Sequence, residues 1–283
     1  MSKDLERSLK DKVKEIARIQ GRGFNDVWKA VVLERFLARL SRSTNLEKLI
    51  FKGGFLLSKY IQIGRETADL DFLLVSVPES SKHIKDMINS ILQEPSIDGF
   101  TFQNLEVEEL AQPHMSYPGY EITAVALLGG TKTSIRIDLG VGDQVKPERK
   151  NLLLLAHKDR PLFESEISIQ VYPLPYIFAE KLEAVVYRGG TNSRMKDFYD
   201  LWVLRKNKQI DVLAISEVIH SVFVHRGTPI PNRLSFDSLA IDVMSRSWIR
   251  FIDALNDKSK KDIPRDFSEV IAAIDEMLGQ LLG

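Results

Sequence analysis

Asp69 and Asp71 stand one residue apart in "ADLDFLLVSV", a stretch that otherwise has the pattern of a buried strand. Side chains alternate between the two faces of a strand, so both carboxylates are expected on the same face. Two carboxylates this close repel each other unless a cation lies between them. Mg²⁺ favours one or two carboxylates together with phosphate oxygens, so the pair is a candidate metal site. The alternative is that both carboxylates face solvent at an exposed sheet edge.

A third carboxylate occurs in "TSIRIDLGV", where Asp138 and Arg136 share one face of a predicted strand whose other face is apolar. If this strand lies beside the first, Asp69, Asp71 and Asp138 converge on one face of the sheet. Three carboxylates can hold the pair of Mg²⁺ ions that promotes an in-line phosphoryl or nucleotidyl displacement. The alternative is that Asp138 simply pairs with Arg136.

A glycine pair, Gly53 and Gly54, separates the predicted strand "KLIF" from a helix predicted to run through Ile63. Glycines there let the backbone approach a ligand closely, and a helix N-terminus favours an anion. The sequence does not match a P-loop, because no Lys-Ser or Lys-Thr follows the glycines. The pair could also be only a sharp turn. The candidate nucleotide-binding residues of this region are Lys52, Gly53, Gly54, Ser58, Arg65 and Thr67.

A second charged cluster occupies residues 181–208, which hold seven basic and three acidic residues in a chain that is neutral overall. Lys181 lies in an apolar helical stretch, and Asp197 and Asp200 are three residues apart, so that they share one face of the next helix. A basic pair of helices would suit a triphosphate or an RNA backbone.

A simpler interpretation of this cluster remains open. Lys181 and Glu183 could be solvated, and Asp197 could pair with Arg194 or Lys196. In the functional interpretation, Arg194 and Lys196 are nucleotide-binding residues, and Lys181, Arg65 and Arg194 would neutralise the triphosphate as charge develops on it.

The periodicity of the chain predicts an α/β (α+β) protein in two domains. Residues 1–160 are expected to form a mixed sheet with flanking helices, and residues 161–283 an all-helical domain that contributes to the active-site cleft. Two strands of the sheet should form a hairpin at Gly129-Gly130, a dipeptide suited to a tight turn. "ISIQVYP" can form one more strand. The C-terminal helices are predicted at 175–188, 194–206, 210–224, 238–256 and 266–282.

Composition narrows the classes of function. The chain has 39 basic and 39 acidic residues, which argues against a protein built mainly to coat nucleic acid but permits a local basic patch. It has no cysteine, so disulfides, thiolate catalysis and cysteine-based zinc sites are excluded. The amino terminus is too charged for a signal peptide, and no run approaches the ~18 apolar residues of a membrane span. We expect a cytoplasmic protein with no membrane partner.

Three stretches of the sequence occur in the same order in one known family. They are "KGGFLLSKY…GRETADLDFLL", "IRIDLG" and "AEKLEAVVYRGGTNSRMKDFYDLWVL". Together they resemble the AbiEii/AbiGii-type nucleotidyltransferase toxins, which are abortive-infection and type IV toxin–antitoxin proteins with a polymerase-beta-like nucleotidyltransferase fold. The resemblance covers roughly residues 45–230.

The resemblance implies roles for the residues named above. Gly53 and Gly54 would hold the nucleotide phosphates, Asp69 and Asp71 would bind metal, and Lys181 would contact the triphosphate.

The remaining acidic residues are matched less directly. Asp197 or Asp200 would be the essential aspartate of the following helix, and "KDFYDL" leaves the choice open. Asp138 as third metal ligand follows the pattern of the wider superfamily.

The sequence departs from that pattern at Phe55. Many members of the superfamily have Ser or Thr directly after the glycine turn, where a hydroxyl can contact phosphate. Ser58, about one helical turn further along, is the candidate substitute.

The sequence therefore indicates a Mg²⁺-dependent nucleotidyltransferase with a two-metal site, which moves a nucleoside monophosphate from an NTP to an acceptor hydroxyl. The resemblance further implies a tRNA or other RNA acceptor and a cognate antitoxin. One alternative is transfer to a small molecule, as in antibiotic-modifying nucleotidyltransferases. Another is an inactive module of the same fold that binds a partner or RNA, which Phe55 favours.

Overall fold

The computed structural model describes residues 2–61, 63–77, 80–110, 119–256, 260 and 263–282 of the chain. The chain divides into two compact units. The first consists of Met1–Ile61 and Glu66–Tyr172, and the second of Gln62–Arg65 and Pro173–Gly283. The first unit therefore extends beyond residue 160, where the sequence placed the domain boundary.

The first unit is built on a seven-stranded mixed sheet of order β3-β4-β5-β2-β1-β9-β6. The pairs β2–β5 and β1–β9 are parallel, and the other neighbours are antiparallel. A separate two-stranded ribbon is formed by β7 and β8. The strands are β1 (Leu49–Lys52), β2 (Leu70–Leu74), β3 (Thr101–Leu110), β4 (Gly119–Leu128), β5 (Thr131–Val141), β6 (Glu148–Leu153), β7 (Ala156–His157), β8 (Arg160–Pro161) and β9 (Glu166–Val171).

Four helices of the first unit flank the sheet: α1 (Ser2–Gln20), α2 (Phe24–Leu40), α3 (Gly53–Tyr60) and α4 (Ser81–Leu92). α2 is buried on nearly all sides because it lies against β5 and β9 and also against α1 and α4. The ring centres of Phe36 on α2 and Phe72 on β2 are 5.9 Å apart. Leu70 and Phe72 thus give β2 one apolar, buried face, which leaves Asp71 on the other.

The interior of the first unit also contains ion pairs. Arg39 on α2 binds the carboxylate of Asp98 through both terminal nitrogens, at 2.7 and 3.0 Å, and donates to the carbonyl oxygen of Phe100 at 2.9 Å. Arg39 and Asp98 are both buried. The pair fixes the segment that leads into β3.

The second unit is helical and comprises α5 (Leu174–Arg188), α6 (Met195–Lys206), α7 (Ser216–His225), α8 (Ser238–Asp253) and α9 (Phe267–Leu282). α5 packs against α6 and α7, and α6 packs against α8 and α9. Aromatic rings fill this core: the ring of Phe267 lies 5.0 Å from Phe198 and 5.4 Å from Trp248 between centres. Together these elements place Lys181 on α5, and Asp197 and Asp200 on α6.

The predicted fold class is confirmed, since a mixed α/β sheet with flanking helices is followed by a helical region. Three local features differ from expectation. The helix predicted to run through Ile63 ends at Tyr60, because the backbone of Ile61 is extended. The helix expected from residue 210 begins at Ser216, because Asp211 accepts hydrogen bonds from the backbone N–H groups of Leu213 and Ala214 and holds a turn there. β6 was not predicted, and it takes its strand form from antiparallel pairing with β9.

None of the helices in the described part of the chain is both long enough and apolar enough to cross a membrane.

We expect the substitution Asp98→Asn to lower the free energy of unfolding by about 3–5 kcal/mol at pH 7, because it leaves the buried Arg39 guanidinium without its anion. Urea denaturation of the full chain measures this. The pKa of Asp98 is lowered: burial opposes the shift, and Arg39 outweighs burial. The stabilisation is therefore present above about pH 4 and is lost as pH falls through the lowered folded pKa, so the difference from wild type should narrow in acid.

The matched control is Asp86→Asn, which removes an exposed carboxylate paired with Lys82 on α4. Its unfolding free energy should stay within about 0.5 kcal/mol of wild type. An equal effect of both substitutions would contradict the importance of the buried pair.

Candidate active site

Ionisable side chains form a row across four adjacent strands of the sheet. Asp71 on β2 is the register partner of Asp138 on the parallel β5 and of Lys52 on the antiparallel β1. Asp138 is also the partner of Glu121 on β4. Because register partners point to the same face, three carboxylates and one amine project together. β5 thus lies beside β2, which is the arrangement that convergence of Asp71 and Asp138 requires.

Gly53 is the residue that lets Asp71 take its position. It opens α3 with a φ of 73°, a conformation in which glycine alone is free of strain. A Cβ atom at this residue would lie 2.0 Å from Oδ2 of Asp71. The start of α3 and the Asp71 carboxylate are therefore in direct contact, and only glycine fits between them.

Arg136 lies among the carboxylates on this face. It donates a hydrogen bond from Nη2 to Oδ2 of Asp69, which directly precedes β2. Its Nη1 is 3.6 Å from Oε2 of Glu121, and its Nε is 3.7 Å from Oδ1 of Asp138. The alternative that Asp138 pairs with Arg136 thus describes one of three such contacts.

The pKa of the Asp138 carboxyl is raised to about 6. Burial is the main cause, and the negative charges of Asp71, Asp69 and Glu121 raise it further, while Arg136 opposes the shift. Oδ1 of Asp138 is buried and accepts no hydrogen bond from the described residues. This carboxylate therefore lacks enough positive charge and hydrogen-bond donors around it.

We find no ready-made cluster of three or more His, Cys, Asp or Glu ligands in the described part of the chain. Asp69 is directed to Arg136, whereas Asp71 has no hydrogen bond or ion pair with any described residue. The carboxylate oxygens of Asp71 and Asp138 are nevertheless the hard donors that Mg²⁺ prefers, and the buried, unbonded Oδ1 of Asp138 could accept a cation. The residues thus fit a divalent cation held by Asp71 and Asp138, with Asp69 available if it leaves Arg136.

The other candidate residues of the first unit are placed as follows. Lys52 donates a hydrogen bond from Nζ to Oδ2 of Asp143 at 2.9 Å. The hydroxyl of Ser58 donates to the carbonyl oxygen of Phe55 at 2.7 Å, within its own helix. Phe55 is buried, so this position contributes to the core. Thr67 is half-buried in the segment before β2.

In the second unit, two buried aspartates surround the Lys181 ammonium. Its Nζ lies 2.8 Å from Oδ1 of Asp197 and 2.7 Å from Oδ2 of Asp200. Asp200 also receives Nε and Nη2 of Arg65, each at 2.6 Å. Asp197 also receives Nε of Arg194 at 2.8 Å. Asp197 and Asp200 therefore have the same kind of contacts, since each accepts from Lys181 and from one arginine.

The two aspartates differ in the exposure of the arginine that pairs with each. The side chains of Lys181 and Arg65 are only 10% and 6% exposed, whereas that of Arg194 is 44% exposed. Asp200 thus holds interior cations on both sides, and Asp197 joins the interior to the surface. The other candidate, Lys196, is exposed on α6.

Each of Lys181 and Asp197 favours the charged form of the other. Burial alone would lower the pKa of the Lys181 ammonium, but Asp197 and Asp200 outweigh burial and raise it. Burial would raise the pKa of Asp197, but Lys181 and Arg194 lower it to about 2. Lys181 and Asp197 are therefore both ionised at neutral pH and neutralise each other.

The simpler interpretation of this region is partly wrong. Lys181 and Glu183 are buried rather than solvated, because each has ionic or polar partners inside the unit. Glu183 accepts hydrogen bonds from Arg226 at 3.0 Å and from Thr228 at 2.6 Å. The expected pairing of Asp197 with Arg194 is present.

Sequence reasoning did not single out Glu121 or Asp143, which contact Arg136 and Lys52. Glu121 carried a weak signal, since it alternates with the apolar Tyr120 and Ile122 in a predicted strand. Only the β4–β5 register shows that it faces Asp138.

The sequence profile of the AbiEii nucleotidyltransferase toxins, which belong to type IV toxin–antitoxin systems, matches residues 35–273. The chain belongs to this family. It is therefore a nucleotidyltransferase of the toxin–antitoxin class, and the resemblance seen in its motifs is confirmed. No curated protein matches the chain.

Solved structures of low sequence identity share the fold. MenT4, a nucleotidyltransferase toxin from Mycobacterium tuberculosis, is 16% identical, with a TM-score of 0.56 and coverage of 95% of this chain and 89% of that one. JHP933 from Helicobacter pylori is 12% identical, with a TM-score of 0.54 and coverage of 92% and 94%. A putative nucleotidyltransferase from H. pylori is 11% identical, with a TM-score of 0.52 and coverage of 92% and 97%.

We expect Gly53→Ala to lower the free energy of unfolding by about 1–2 kcal/mol, because the new Cβ is strained at positive φ and collides with Asp71. Urea denaturation measures the change. Gly130→Ala is the control, since no atom of another described residue beyond its chain neighbours lies within 4 Å of the added Cβ, and its φ is not positive. If both variants unfold alike, the close contact between Gly53 and Asp71 is not what requires glycine.

Asp200→Asn should destabilise the protein by about 3–5 kcal/mol, because Arg65 and Lys181 cannot reach water once their shared anion is removed. Asp197→Asn should cost at least about 1 kcal/mol less, since Arg194 can turn to solvent and Lys181 keeps Asp200. Chemical denaturation followed by circular dichroism compares the two variants. A larger loss for Asp197→Asn would show that Asp197 is the main internal anion.

Proposed function

We propose that this nucleotidyltransferase moves a nucleoside monophosphate from an NTP to a hydroxyl of an RNA acceptor, with tRNA as the first candidate. Family membership supports the transfer of a nucleotide. The single observation that carries the chemistry is the register of β2 and β5, which sets Asp71 beside Asp138 and against Gly53. A similarly folded protein, MenT4, is itself named a nucleotidyltransferase toxin.

In the proposed reaction, the acceptor oxygen attacks the α-phosphorus of the NTP. A new phosphorus–oxygen bond forms, and the bond from the α-phosphorus to the oxygen that bridges to the β-phosphate breaks. Pyrophosphate leaves with the electron pair of that bond. The acceptor proton passes to Asp138, which lies beside Asp71 and orients the hydroxyl.

Asp71, Asp138 and Asp69 would hold Mg²⁺ in this proposal, as a two-metal site. Bound Mg²⁺ neutralises phosphate charge and aligns the attacking and leaving oxygens. The backbone N–H groups of Gly53 and Gly54, at the start of α3, favour the phosphates. Lys52, in the same cross-strand row, adds positive charge.

The second unit holds the other candidate residues. Its cluster contains Lys181, Arg65 and Arg194 paired with Asp197 and Asp200. We propose that Lys181 contacts the triphosphate, as the family resemblance implies.

Membership of the family supports a proposed biological role. A type IV toxin acts with a cognate antitoxin, and we propose that such an antitoxin counters the modification of RNA by this protein.

The test is transfer of label from each NTP in turn to total tRNA, with the purified full chain and Mg²⁺. We expect wild type to label RNA with one preferred NTP, and the double variant Asp69→Ala/Asp71→Ala to be slower by roughly 100-fold or more, because the carboxylates that hold the cation are gone. Gel electrophoresis of the RNA measures the rate.

Asp86→Ala serves as the control, because it removes an exposed aspartate on α4 that pairs only with Lys82 among the described ion pairs. It should transfer label at the wild-type rate. Transfer at the wild-type rate by the double variant would exclude the proposed site. If wild type labels no RNA with any NTP but labels a small hydroxyl compound, the acceptor class is wrong.

A further inference from the structure

Arg136 has an unusual position, since each nitrogen of its guanidinium faces a carboxylate of a different residue. Nη2 donates to Asp69, Nη1 is 3.6 Å from Glu121, and Nε is 3.7 Å from Asp138. These carboxylates come from the segment before β2, from β4 and from β5 itself. The contacts span the sheet face on which the proposed chemistry takes place.

The charges around Arg136 do not balance. The row contains Asp71, Asp138, Glu121 and Lys52, Asp69 lies beside Arg136, and Asp143 pairs with Lys52. Five carboxylates thus lie with the two cations Arg136 and Lys52. Asp71 forms no hydrogen bond or ion pair with a described residue. This face therefore attracts further positive charge, and any added cation must share oxygens with Arg136.

The exposure of these groups shows that the contacts can be exchanged. The side chain of Arg136 is 44% exposed, and those of Asp69 and Glu121 are 26% and 30% exposed. Exposed ion pairs contribute little to stability because water screens them and competes for them. The guanidinium can thus leave one carboxylate without disturbing the core.

Glu121 differs from the two aspartates in its place in the sheet. It lies on β4, so β5 separates it from β2 and from Asp71. A cation held by Asp71, Asp138 and Asp69 would compete with Arg136 for Asp138 and Asp69 and would leave Glu121 as the partner of Arg136.

We propose that Arg136 is an internal counterion that competes with a divalent cation for Asp69 and Asp138, and that Glu121 retains the guanidinium when the cation binds. This rests on the proposed metal-dependent function and deepens it. Arg136 and Glu121 are then positioning residues that set the affinity of the site for a divalent cation. In this role they act through the aspartates and do not touch the substrate.

The experiment measures binding of Mn²⁺, as a substitute for Mg²⁺, to the full chain without nucleotide, from the loss of the free-Mn²⁺ signal in electron paramagnetic resonance. Arg136→Gln should bind Mn²⁺ about tenfold more tightly than wild type, because the competing charge is removed. If Arg136 only held the aspartates in place, the same substitution would weaken binding.

Arg149→Gln is the matched control. Arg149 lies on β6, at the far edge of the same sheet, is 46% exposed and pairs with Glu47 at 2.8 Å. The substitution removes the same charge from a similar ion pair, so Mn²⁺ affinity should stay within about twofold of wild type.

Glu121→Gln tests the second half of the proposal. Without its retaining carboxylate, Arg136 competes more strongly for Asp69 and Asp138, so Mn²⁺ affinity should fall by about threefold or more. In an Arg136→Gln background the same substitution should have a clearly smaller effect, because Glu121 acts through Arg136. An equal effect in both backgrounds would overturn the role of Glu121.

The outcomes separate this inference from the function on which it rests. If wild type binds no Mn²⁺ and also labels no RNA, the proposed function fails and the inference fails with it. If wild type binds Mn²⁺ and Arg136→Gln binds it equally or more weakly, with the unfolding midpoint of the variant unchanged, only the counterion role is overturned.

Discussion

Parallel pairing of β2 with β5 is the constraint on which the proposed site depends. These strands are far apart in sequence, and their register alone sets Asp71 opposite Asp138. A shift of one residue would turn Asp71 into the core and Phe72 out of it, so burial of the apolar face fixes the register. Packing of Phe36 on Phe72 thus holds the carboxylates in place from the opposite face of the sheet.

Gathering negative charge on one face requires a way to reduce repulsion. Nearby cationic side chains reduce the repulsion: Arg136 contacts Asp69, Asp138 and Glu121, and Lys52 pairs with Asp143. The balance is incomplete, because Oδ1 of Asp138 is buried and accepts no hydrogen bond from the described residues. This shortage of positive charge favours binding of a cation, and through it of a polyphosphate. A face whose carboxylates were all neutralised by side chains would not attract a metal ion.

In the second unit, by contrast, the buried carboxylates are paired with cationic side chains. Asp197 and Asp200 lie among buried cations and are fully paired, with Lys181 between them. Interior ion pairs of this kind are costly to break, and they define one arrangement of α5 and α6. The resemblance to the family implies one essential aspartate, but both aspartates pair with Lys181, so a loss of activity in either variant must be compared with its change in stability.

The sequence by itself determined the fold class, the helices and nearly all strands of the sheet, and the family, because periodicity and the motifs around Gly53, Asp71 and Lys181 are local properties of the chain. It also placed Arg136 and Asp138 on one face of a strand. Tertiary structure alone decided that Glu121 faces Asp138, that Asp143 holds Lys52, and that Asp197 and Asp200 both bind Lys181. Strand register and helix packing bring together residues far apart in sequence, and no local pattern of residues specifies which partners will meet.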